Sequence, residues 1–343
     1  MKVSEICKYA PKSNIKARDA CDGGKYVFFT SSADESKRYN AYQHEGEGII
    51  MGTGGNATLH YYDGKYAVST DCIVLLPNEQ IRCKYLYYFF LGNMRVLERG
   101  FKGAGLKHTN KGYIGDIDIG DIPSFERQEK IIGIFDTLQS IIDLRKSEIE
   151  RLDNLIKARF VEMFGSPVSN PMSWEKRTLK EVCIKLNDGS HFSPESFETG
   201  DYKYVTAKNI KFSGFDFSNI TYVPEAVHRP IFDRCNPEFE DVLYIKDGAT
   251  TGVAIVNTLD EEFTLLSSVA LLKQDRSIMN GYFLATLLNN KDMYLNIRNN
   301  MGGAAITRLT IAKLNAIEII VPPIELQNQF AAFVAEVDKS KLM

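Results

Sequence analysis

The chain has 343 residues, of which 44% are hydrophobic and 25% are charged, and its formal net charge at pH 7 is −3. This length favours two domains, and the charge excludes a polycation that would bind nucleic acid through phosphates alone. The sequence contains no stretch of about 18 apolar residues and no N-terminal apolar core, so it indicates neither a membrane span nor secretion, and we expect a cytoplasmic protein.

The first 122 residues carry mostly strand and turn signals. Short β-branched or aromatic runs, such as YVFFT and DCIVLL, are separated by glycine-rich turns such as GTGGN. Apolar residues spaced by three and four in KYLYYFFLGNMRVLE predict one helix in this segment. We therefore expect residues 1–122 to form a mixed α/β domain with a substantial β core.

Residues 123–165 have a different character. From Phe125 to Phe164 the chain contains no proline and one glycine, and apolar residues recur at heptad spacing. This pattern predicts one long helix packed against another helix, and at about 1.5 Å per residue it would extend roughly 60 Å. The apolar heptad residues expected on the packed side are Ile131, Phe135, Leu138, Ile142, Ile149, Leu152, Ile156 and Met163.

Residues 166–322 repeat the pattern of the first domain. VSEIC near the N-terminus aligns with LKEVC, and the loop sequence KGAGLKHTNKGYIG aligns with GGAAITRLTIAKLN. The second copy carries about 22 more residues around KFSGFDFSNITYVPEAVHRP, and one helix is predicted at GYFLATLLNNKDMYLNI. We expect an α/β fold with an internal pseudo-twofold repeat, followed by a short helix over residues 323–343. A repeated scaffold with divergent insertions indicates two sites that read different things.

Basic and small polar residues gather in corresponding loops of both copies, mainly in FKGAGLKHTNKG, TAKNIKFSG, KDGATTG and MGGAAITRLTIAK. Glycine lets backbone amides come close to phosphates, Lys and Arg supply charge, and Asn and Lys can contact base edges. The candidate DNA-contacting residues are Lys102, Lys107, His108, Lys111, Lys208, Asn209, Lys211, Lys246, Thr250, Thr251 and Arg308.

These features together make the chain resemble a specificity subunit of a type I restriction–modification system. The resemblance rests on the doubled layout of domain and helix, on the junctions IPSFERQEKI and VPPIELQNQF, and on the MFG that ends the long segment. It implies two target-recognition domains, each reading one half of a split sequence in double-stranded DNA. It also implies antiparallel spacer helices, separate methyltransferase and translocase–nuclease (restriction) subunits that dock on them, and no catalysis in this chain.

The chain departs from that family after Pro323. Family members have a second helix about as long as the first, whereas about twenty residues follow Pro323 here. We expect that the natural C-terminus has been lost or that another chain completes the coil. Because an uncovered apolar stripe marks a partner surface, self-association through the spacer helices is also expected.

Two other classes of function stay open. A stand-alone DNA methyltransferase would carry a [DN]-P-P-[YF] pocket, but NPEF at residues 236–239 has Glu238 at the second proline position. A tandem protein- or carbohydrate-binding module would share the layout of two globules and a helix. The sequence contains no G-x-x-x-x-G-K-[ST] motif, and its six cysteines have no C-x-x-C spacing. We therefore expect no catalytic residues, no metal and no cofactor.

Overall fold

A computed structural model describes residues 1–299, 301 and 308–342. The chain forms two compact units, Met1–Arg145 and Lys146–Met343, which we call unit 1 and unit 2. Part of the second glycine-rich loop of the predicted repeat, residues 302–307, lies outside the described residues. Within the described ranges, none of the helices is long and apolar enough to cross a membrane.

Unit 1 is built around one six-stranded sheet. Its elements are α1 (Val3–Ile6), β1 (Cys7–Tyr9), β2 (Tyr26–Phe29), β3 (Arg38–Tyr39), β4 (His44–Gly52), β5 (Leu59–Val68), β6 (Cys72–Pro77), α2 (Cys83–Gly92), α3 (Met94–Glu98) and α4 (Lys111–Gly115). The strand order is β1-β6-β4-β5-β2-β3, with β2 and β5 parallel and the other neighbours antiparallel.

The central strand β4 has a core on each of its faces. Ile49 pairs with Leu75 of β6, and Ile50 pairs with Val74. Successive side chains of a strand point to opposite faces. Accordingly, Ile49 and Leu75 join the core formed with α2, whereas Ile50 and Val74 join a second cluster that includes Phe29. Both faces of the central strands are therefore covered.

A single helix, α5 (Phe125–Phe164), begins in unit 1 and ends in unit 2, and its 40 residues confirm the predicted long helix. Unit 2 continues with β7 (Glu175–Thr178), α6 (Leu179–Val182), β8 (Cys183–Asp188), β9 (Tyr202–Val205), β10 (Ile210–Lys211), β11 (Gly214–Phe215), β12 (Thr221–Val223), α7 (Glu225–Arg234), β13 (Val242–Ile245), β14 (Ala254–Val256), β15 (Thr264–Leu265), β16 (Val269–Gln274), α8 (Gly281–Asn289), α9 (Lys291–Asn299), α10 (Ile311–Asn315), β17 (Glu318–Val321) and α11 (Ile324–Leu342).

The sheets confirm the predicted internal repeat. The order β8-β16-β13-β14 in unit 2 corresponds to β1-β6-β4-β5 in unit 1, and a short helix precedes the first strand of each set. The remaining strands of unit 2 form three small sheets, β12-β9-β15, β10-β11 and β17-β7. The extra residues of the second copy form the β10–β11 hairpin and α7, whereas β12 pairs with β9 as β3 pairs with β2. The scaffold is therefore shared, and the inserted structure is specific to unit 2.

The prediction of one helix in each copy after the last central strand was wrong, because each copy has two helices there. The break falls at Asn93 between α2 and α3, and at Asn290 between α8 and α9. Asn93 donates from its amide to the carbonyl of Phe89, and Asn290 accepts from the backbone N–H of Asp292. Asparagine side chains compete for backbone groups in this way and favour helix ends.

A buried glutamine anchors the start of α5 in unit 1, and another anchors the start of α11 in unit 2. Gln128 accepts from the N–H of Arg82 at 2.7 Å and donates to the carbonyl of Pro123 at 2.9 Å. Gln327 accepts from the N–H of Asn280 at 2.9 Å and donates to the carbonyls of Pro322 and Ile278. Both glutamines thus satisfy an otherwise free N–H at the start of a neighbouring helix, which gives the Pro–Gln junctions a structural role.

The C-terminal part of α5 packs within unit 2. The rings of Phe160 and Phe164 are buried and contact Phe330 of α11. Near the other end of α11, the ammonium of Lys341 lies 2.7 Å from the carboxylate of Asp153. These contacts make α11 antiparallel to α5, as the family resemblance implies.

The heptad residues of α5 differ in exposure along the helix. Ile156 and Met163 pack against the core of unit 2, and Ile131 and Leu152 are partly buried. The other four are exposed: Phe135, Leu138, Ile142 and Ile149. The heptad pattern also missed Phe160 and Phe164, which face a globular core and follow the ordinary helical period.

Candidate nucleic-acid interface

The predicted basic loop of unit 1 folds back on itself. Lys102 and His108 exchange two backbone hydrogen bonds of 2.9 and 3.0 Å. Gly103 permits this turn because its φ is +146° and an added Cβ would lie 2.9 Å from the carbonyl oxygen of Leu106. The side chains of Lys102, Lys107 and His108 are exposed, so a compact turn presents three nitrogen-bearing side chains to solvent.

This turn is joined to the glycine-rich loop that follows β4. The N–H of Gly55 donates to the carbonyl of Lys107 at 2.9 Å, and the N–H of Thr109 donates to the carbonyl of Thr53 at 3.0 Å. Lys111, at the start of α4, has its ammonium 5.1 Å from the centre of the Tyr9 ring. The predicted basic residues of unit 1 therefore lie on connected backbone segments.

In unit 2 the structure brings three predicted segments together around one serine. Ser268 accepts from the N–H of Ala207 through its hydroxyl, and from the N–H of Lys246 through its carbonyl, at 3.3 and 2.9 Å. The carbonyl of Lys246 in turn accepts from the N–H of Leu309 at 2.8 Å. The segments around Lys208, Lys246 and Arg308 are thus neighbours in space although they are distant in sequence.

Four predicted side chains of unit 2 are exposed, namely Lys208, Lys211, Thr250 and Arg308. Two of them have acidic neighbours. The guanidinium of Arg308 lies 3.2 Å from the carboxylate of Asp247, and the ammonium of Lys211 lies 3.9 Å from that of Asp216. Since exposed ion pairs are weak, neither carboxylate binds its cation strongly.

Three predicted contacts need correction, because their side chains are buried. Asn209 accepts from the N–H and the hydroxyl of Thr206, and the hydroxyl of Thr251 donates to the carbonyl of Gly248. The ammonium of Lys246, whose side chain is 2% exposed, lies 2.9 Å from Asp247 and 3.3 Å from Asp188. These groups make contacts within the loops and are not exposed at the surface.

The sequence did not reveal the residues that support the loops around Lys246 in unit 2. Asp188 is buried at the end of β8 and faces three basic side chains, those of Lys246, Arg234 and His191. Arg298 of α9 donates to the carbonyl of Thr251 at 2.7 Å and so supports the loop from the other side. The only sequence signal was the DG pair at Asp188, which is read most simply as a turn.

The residues considered as possible enzyme or metal-site features make structural contacts or are buried. Asn236 of the NPEF segment accepts from the Lys185 ammonium at 2.6 Å. Burial raises the pKa of the Cys72 thiol to about 11 and that of Cys235 to about 12, so both thiols stay protonated at neutral pH. No cluster of three or more His, Cys, Asp or Glu side chains with metal-binding geometry occurs in the described part of the chain.

Comparison with known proteins identifies the family. The sequence model of the type I restriction modification DNA specificity domain matches residues 1–154 and again residues 171–343. The chain belongs to this family. The two matches follow the two copies of the repeat, so one DNA specificity domain corresponds to each copy.

One curated member of the family is a distant relative in sequence. The specificity subunit of the type I restriction enzyme EcoDI from Escherichia coli is 24% identical over 157 residues, covering 46% of this chain and 34% of that protein. The match therefore spans about a third of that relative's length.

One solved structure of a type I S subunit has the same fold. The S subunit from M. genitalium aligns over 99% of this chain and 89% of its own, with a TM-score of 0.62 and 16% identity. The HsdS subunit from Thermoanaerobacter tengcongensis aligns over 100% and 89%, with 17% identity and a TM-score of 0.39.

Proposed function

We propose that this chain is the DNA-binding specificity subunit of a type I restriction–modification complex, with each unit reading one half of a bipartite target in double-stranded DNA. One observation carries the proposal. The same four-stranded framework presents exposed basic side chains in both units: Lys102, Lys107, His108 and Lys111 in unit 1, and Lys208, Lys211 and Arg308 in unit 2. Of the latter, Arg308 lies in the loop that corresponds to the basic loop of unit 1.

These loops suit the two kinds of contact that DNA recognition needs. Lys and Arg neutralise phosphates and position the protein, whereas short polar side chains and lysines at the same surface reach base edges. Thr250 is exposed between Ala249 and the buried Thr251, in the same loop as Asp247, which pairs with Arg308. Because the loop sequences of the two units differ, we expect the two half-sites to differ in sequence.

We propose that catalysis comes from other subunits and that α5 is their docking surface. The helix exposes an apolar stripe in its unit 1 segment, formed by Ile134, Phe135, Leu138, Ile141, Ile142 and Leu144. Contiguous exposed apolar surface of this kind marks a protein interaction site. Methyltransferase subunits and, where present, translocase–nuclease (restriction) subunits are the proposed partners, and self-association through this stripe is expected in their absence.

We also propose that α5 sets the number of base pairs between the half-sites. Its 40 residues give a rod of about 60 Å, somewhat under two turns of B-DNA at about 34–36 Å per turn. Inserting one heptad between Leu138 and Ile149 lengthens the rod by about 10 Å, or roughly 3 base pairs. An unchanged gap in the recognised sequence would contradict the spacer role and leave only the docking role.

The decisive experiment is to map methylated positions in a genome that expresses this chain with its methyltransferase subunit. We expect a split target of two short sequences separated by a fixed gap. Replacing Lys102 and Lys107 with glutamine should weaken methylation without changing the bases of the half-site read by unit 2. A continuous target, or loss of both half-site identities from this one change, would contradict the two-reader proposal.

Catalysis by the chain itself is tested separately. The purified chain should transfer no methyl group from S-adenosylmethionine to DNA, and addition of the methyltransferase subunit should restore transfer. Methylation by the purified chain alone would favour the stand-alone methyltransferase instead.

A further inference from the structure

The basic turn of unit 1, residues 102–108, carries an exposed apolar side chain beside a lysine. Lys102 and His108 exchange two backbone hydrogen bonds, so the residues between them form the turn. Leu106 lies in this turn directly before Lys107, and its side chain is 67% exposed. Turns normally carry Gly, Pro, Asn, Asp or Ser, because these residues suit the turn geometry or hydrogen-bond to its backbone. The geometry of the turn therefore does not require a leucine.

Unit 2 places a phenylalanine in a similar way, at the tip of the β10–β11 hairpin. Lys211 pairs with Gly214, so Phe212 and Ser213 form a two-residue loop. Gly214 supplies the positive φ, +115°, with which the second strand begins. Phe212 is 64% exposed and directly follows Lys211, which is also exposed. Both units thus expose one large apolar side chain next to a lysine in a tight turn.

The hairpin is supported by the rest of unit 2 at its base and at its tip. At the base, Ile210 is buried in the core. At the tip, the ring centre of Phe212 lies 6.0 Å from that of Tyr294. Tyr294 in turn packs against Gly252, where an added Cβ would come within 2.5 Å of its ring. A side chain supported in this way loses little conformational freedom when it binds a ligand.

The charged residues within both turns favour DNA over a protein as the ligand. Residues 102–108 contain two lysines and a histidine, residues 208–214 contain two lysines, and neither segment contains an acidic residue. Lysine is depleted at the buried centres of protein–protein interfaces, whereas it is a usual partner of DNA phosphates. A single exposed apolar residue needs no explanation by itself, but here one accompanies the lysines in each unit.

We propose that each unit inserts this side chain, Leu106 in unit 1 and Phe212 in unit 2, as a wedge between two neighbouring base pairs of its half-site. The inference rests on the proposed function, because these base pairs belong to the DNA target. Leucine and phenylalanine are among the side chains that unstack a base step and bend the duplex when they are inserted. Lys107 and Lys211 then contact the phosphates beside the opened step. Pyrimidine–purine steps unstack most readily, so we expect such a step at each wedge.

The test uses the full chain with its methyltransferase subunit and a duplex that carries the mapped methylation target. 2-Aminopurine, whose fluorescence rises when it unstacks, is placed in turn at the purine positions in and beside the half-sites, except at the methylated base. Leu106→Ala and Phe212→Ala remove the wedges, and Phe212→Leu keeps one of them. Leu91→Ala in α2 and Phe239→Ala before β13 are matched controls, because they remove exposed apolar side chains outside the two turns.

We expect the wild-type complex to raise the fluorescence at one step in each half-site. Phe212→Ala should abolish the rise only in the half-site read by unit 2 and weaken duplex binding about ten-fold, as for the loss of one base stacked on an aromatic ring. Leu106→Ala should act in the other half-site and weaken binding about five-fold, because leucine buries less apolar surface. Neither change removes a charge, so the salt slope should stay the same. Phe212→Leu should keep the fluorescence rise, and both controls should behave as wild type.

Three results would overturn the wedge. Wild-type affinity and fluorescence in both alanine variants would show that the turns insert nothing, and weaker binding with an unchanged fluorescence rise would show that the side chains contact the DNA without entering the base stack. A lowered unfolding midpoint would assign them a structural role, since changes at such exposed positions should leave stability unchanged. Target binding by the wild-type complex without any rise would refute the wedge alone, whereas a complex that binds no target duplex would refute the proposed function as well.

Discussion

Unit 1 and unit 2 share a strand framework but treat their polar and apolar groups differently. Unit 2 satisfies them internally: Asp188 and Lys246 form a buried ion pair, and Phe160 of α5 packs against Phe330 of α11. Unit 1 leaves more of its groups exposed: Lys107 of its glycine-rich loop is exposed, and the segment of α5 that lies in unit 1 carries an exposed apolar stripe. The two copies thus differ in how many of their polar and apolar groups find partners within the chain.

The largest contrast should appear along α5. Phe160 is 1% exposed and touches Phe164, Phe283 and Phe330, so Phe160→Ala should lower the free energy of unfolding by about 4 kcal/mol. Leu138, 48% exposed, should cost below about 0.5 kcal/mol when changed to alanine. Urea unfolding of the full chain measures both. Similar losses for the two variants would mean that the stripe in unit 1 is covered within the molecule.

The next contrast concerns the buried ion pair of unit 2 between Asp188 and Lys246. Lys246→Met leaves Asp188 and Asp247 without their buried ammonium partner and should cost about 3 kcal/mol. The exposed Lys208 is the matched control, and Lys208→Met should change stability by less than about 0.5 kcal/mol. A double variant with Asp188→Asn should lose less than the sum of the single changes, because the two side chains are coupled. Additive losses would argue against the ion pair.

The glutamine anchors offer a smaller contrast. The side-chain amide of Gln327 makes three hydrogen bonds to backbone groups, whereas that of Gln128 makes two. Replacing Gln327 with alanine should therefore cost about 3 kcal/mol or somewhat less, and the same change at Gln128 about 2 kcal/mol. Thermal unfolding with a fixed scan rate compares the two variants. The reverse order would show that the hydrogen-bond count does not set the strength of the anchor.

The smallest effect concerns pH. Burial lowers the pKa of His228, which stacks on Tyr202 and contacts Thr264 and Glu262, despite the opposing effect of that carboxylate. Burial also lowers the pKa of His44 in unit 1. The unfolded chain, with histidine pKa values near about 6.5, therefore binds more protons than the folded chain.

The stability that comes from keeping these rings neutral is fully present above about pH 6.5 and is lost as pH falls through that value toward the lower folded pKa. The free energy of unfolding should thus decrease from about pH 7 to about pH 5.5, where histidines are the main titrating groups. His228→Gln should make this decrease shallower, and His44 should keep its share. A slope unchanged by His228→Gln would mean that the ring is protonated in the folded state.

Local signals in the sequence were enough for the framework and for the long helix. The absence of proline and the recurring apolar residues from Phe125 to Phe164 predict a helix without any tertiary information. The repeat was visible because both copies must place similar residues at the same strand and turn positions. The helix breaks at Asn93 and Asn290 were missed, because an asparagine side chain can either end a helix or point to solvent.

The roles of individual polar residues depended on tertiary structure. Lys107 and Lys246 look equivalent in the sequence, since each lies in a glycine-rich loop, yet Lys107 is exposed and Lys246 is buried beside Asp188. Residue type predicts that a lysine carries charge, but only the folded chain decides which carboxylate comes within a few ångströms of it. The sequence by itself thus determined the doubled α/β framework and its helix, because these follow from local periodicity. The packing of distant segments decided which polar groups are paired inside each unit and which stay exposed.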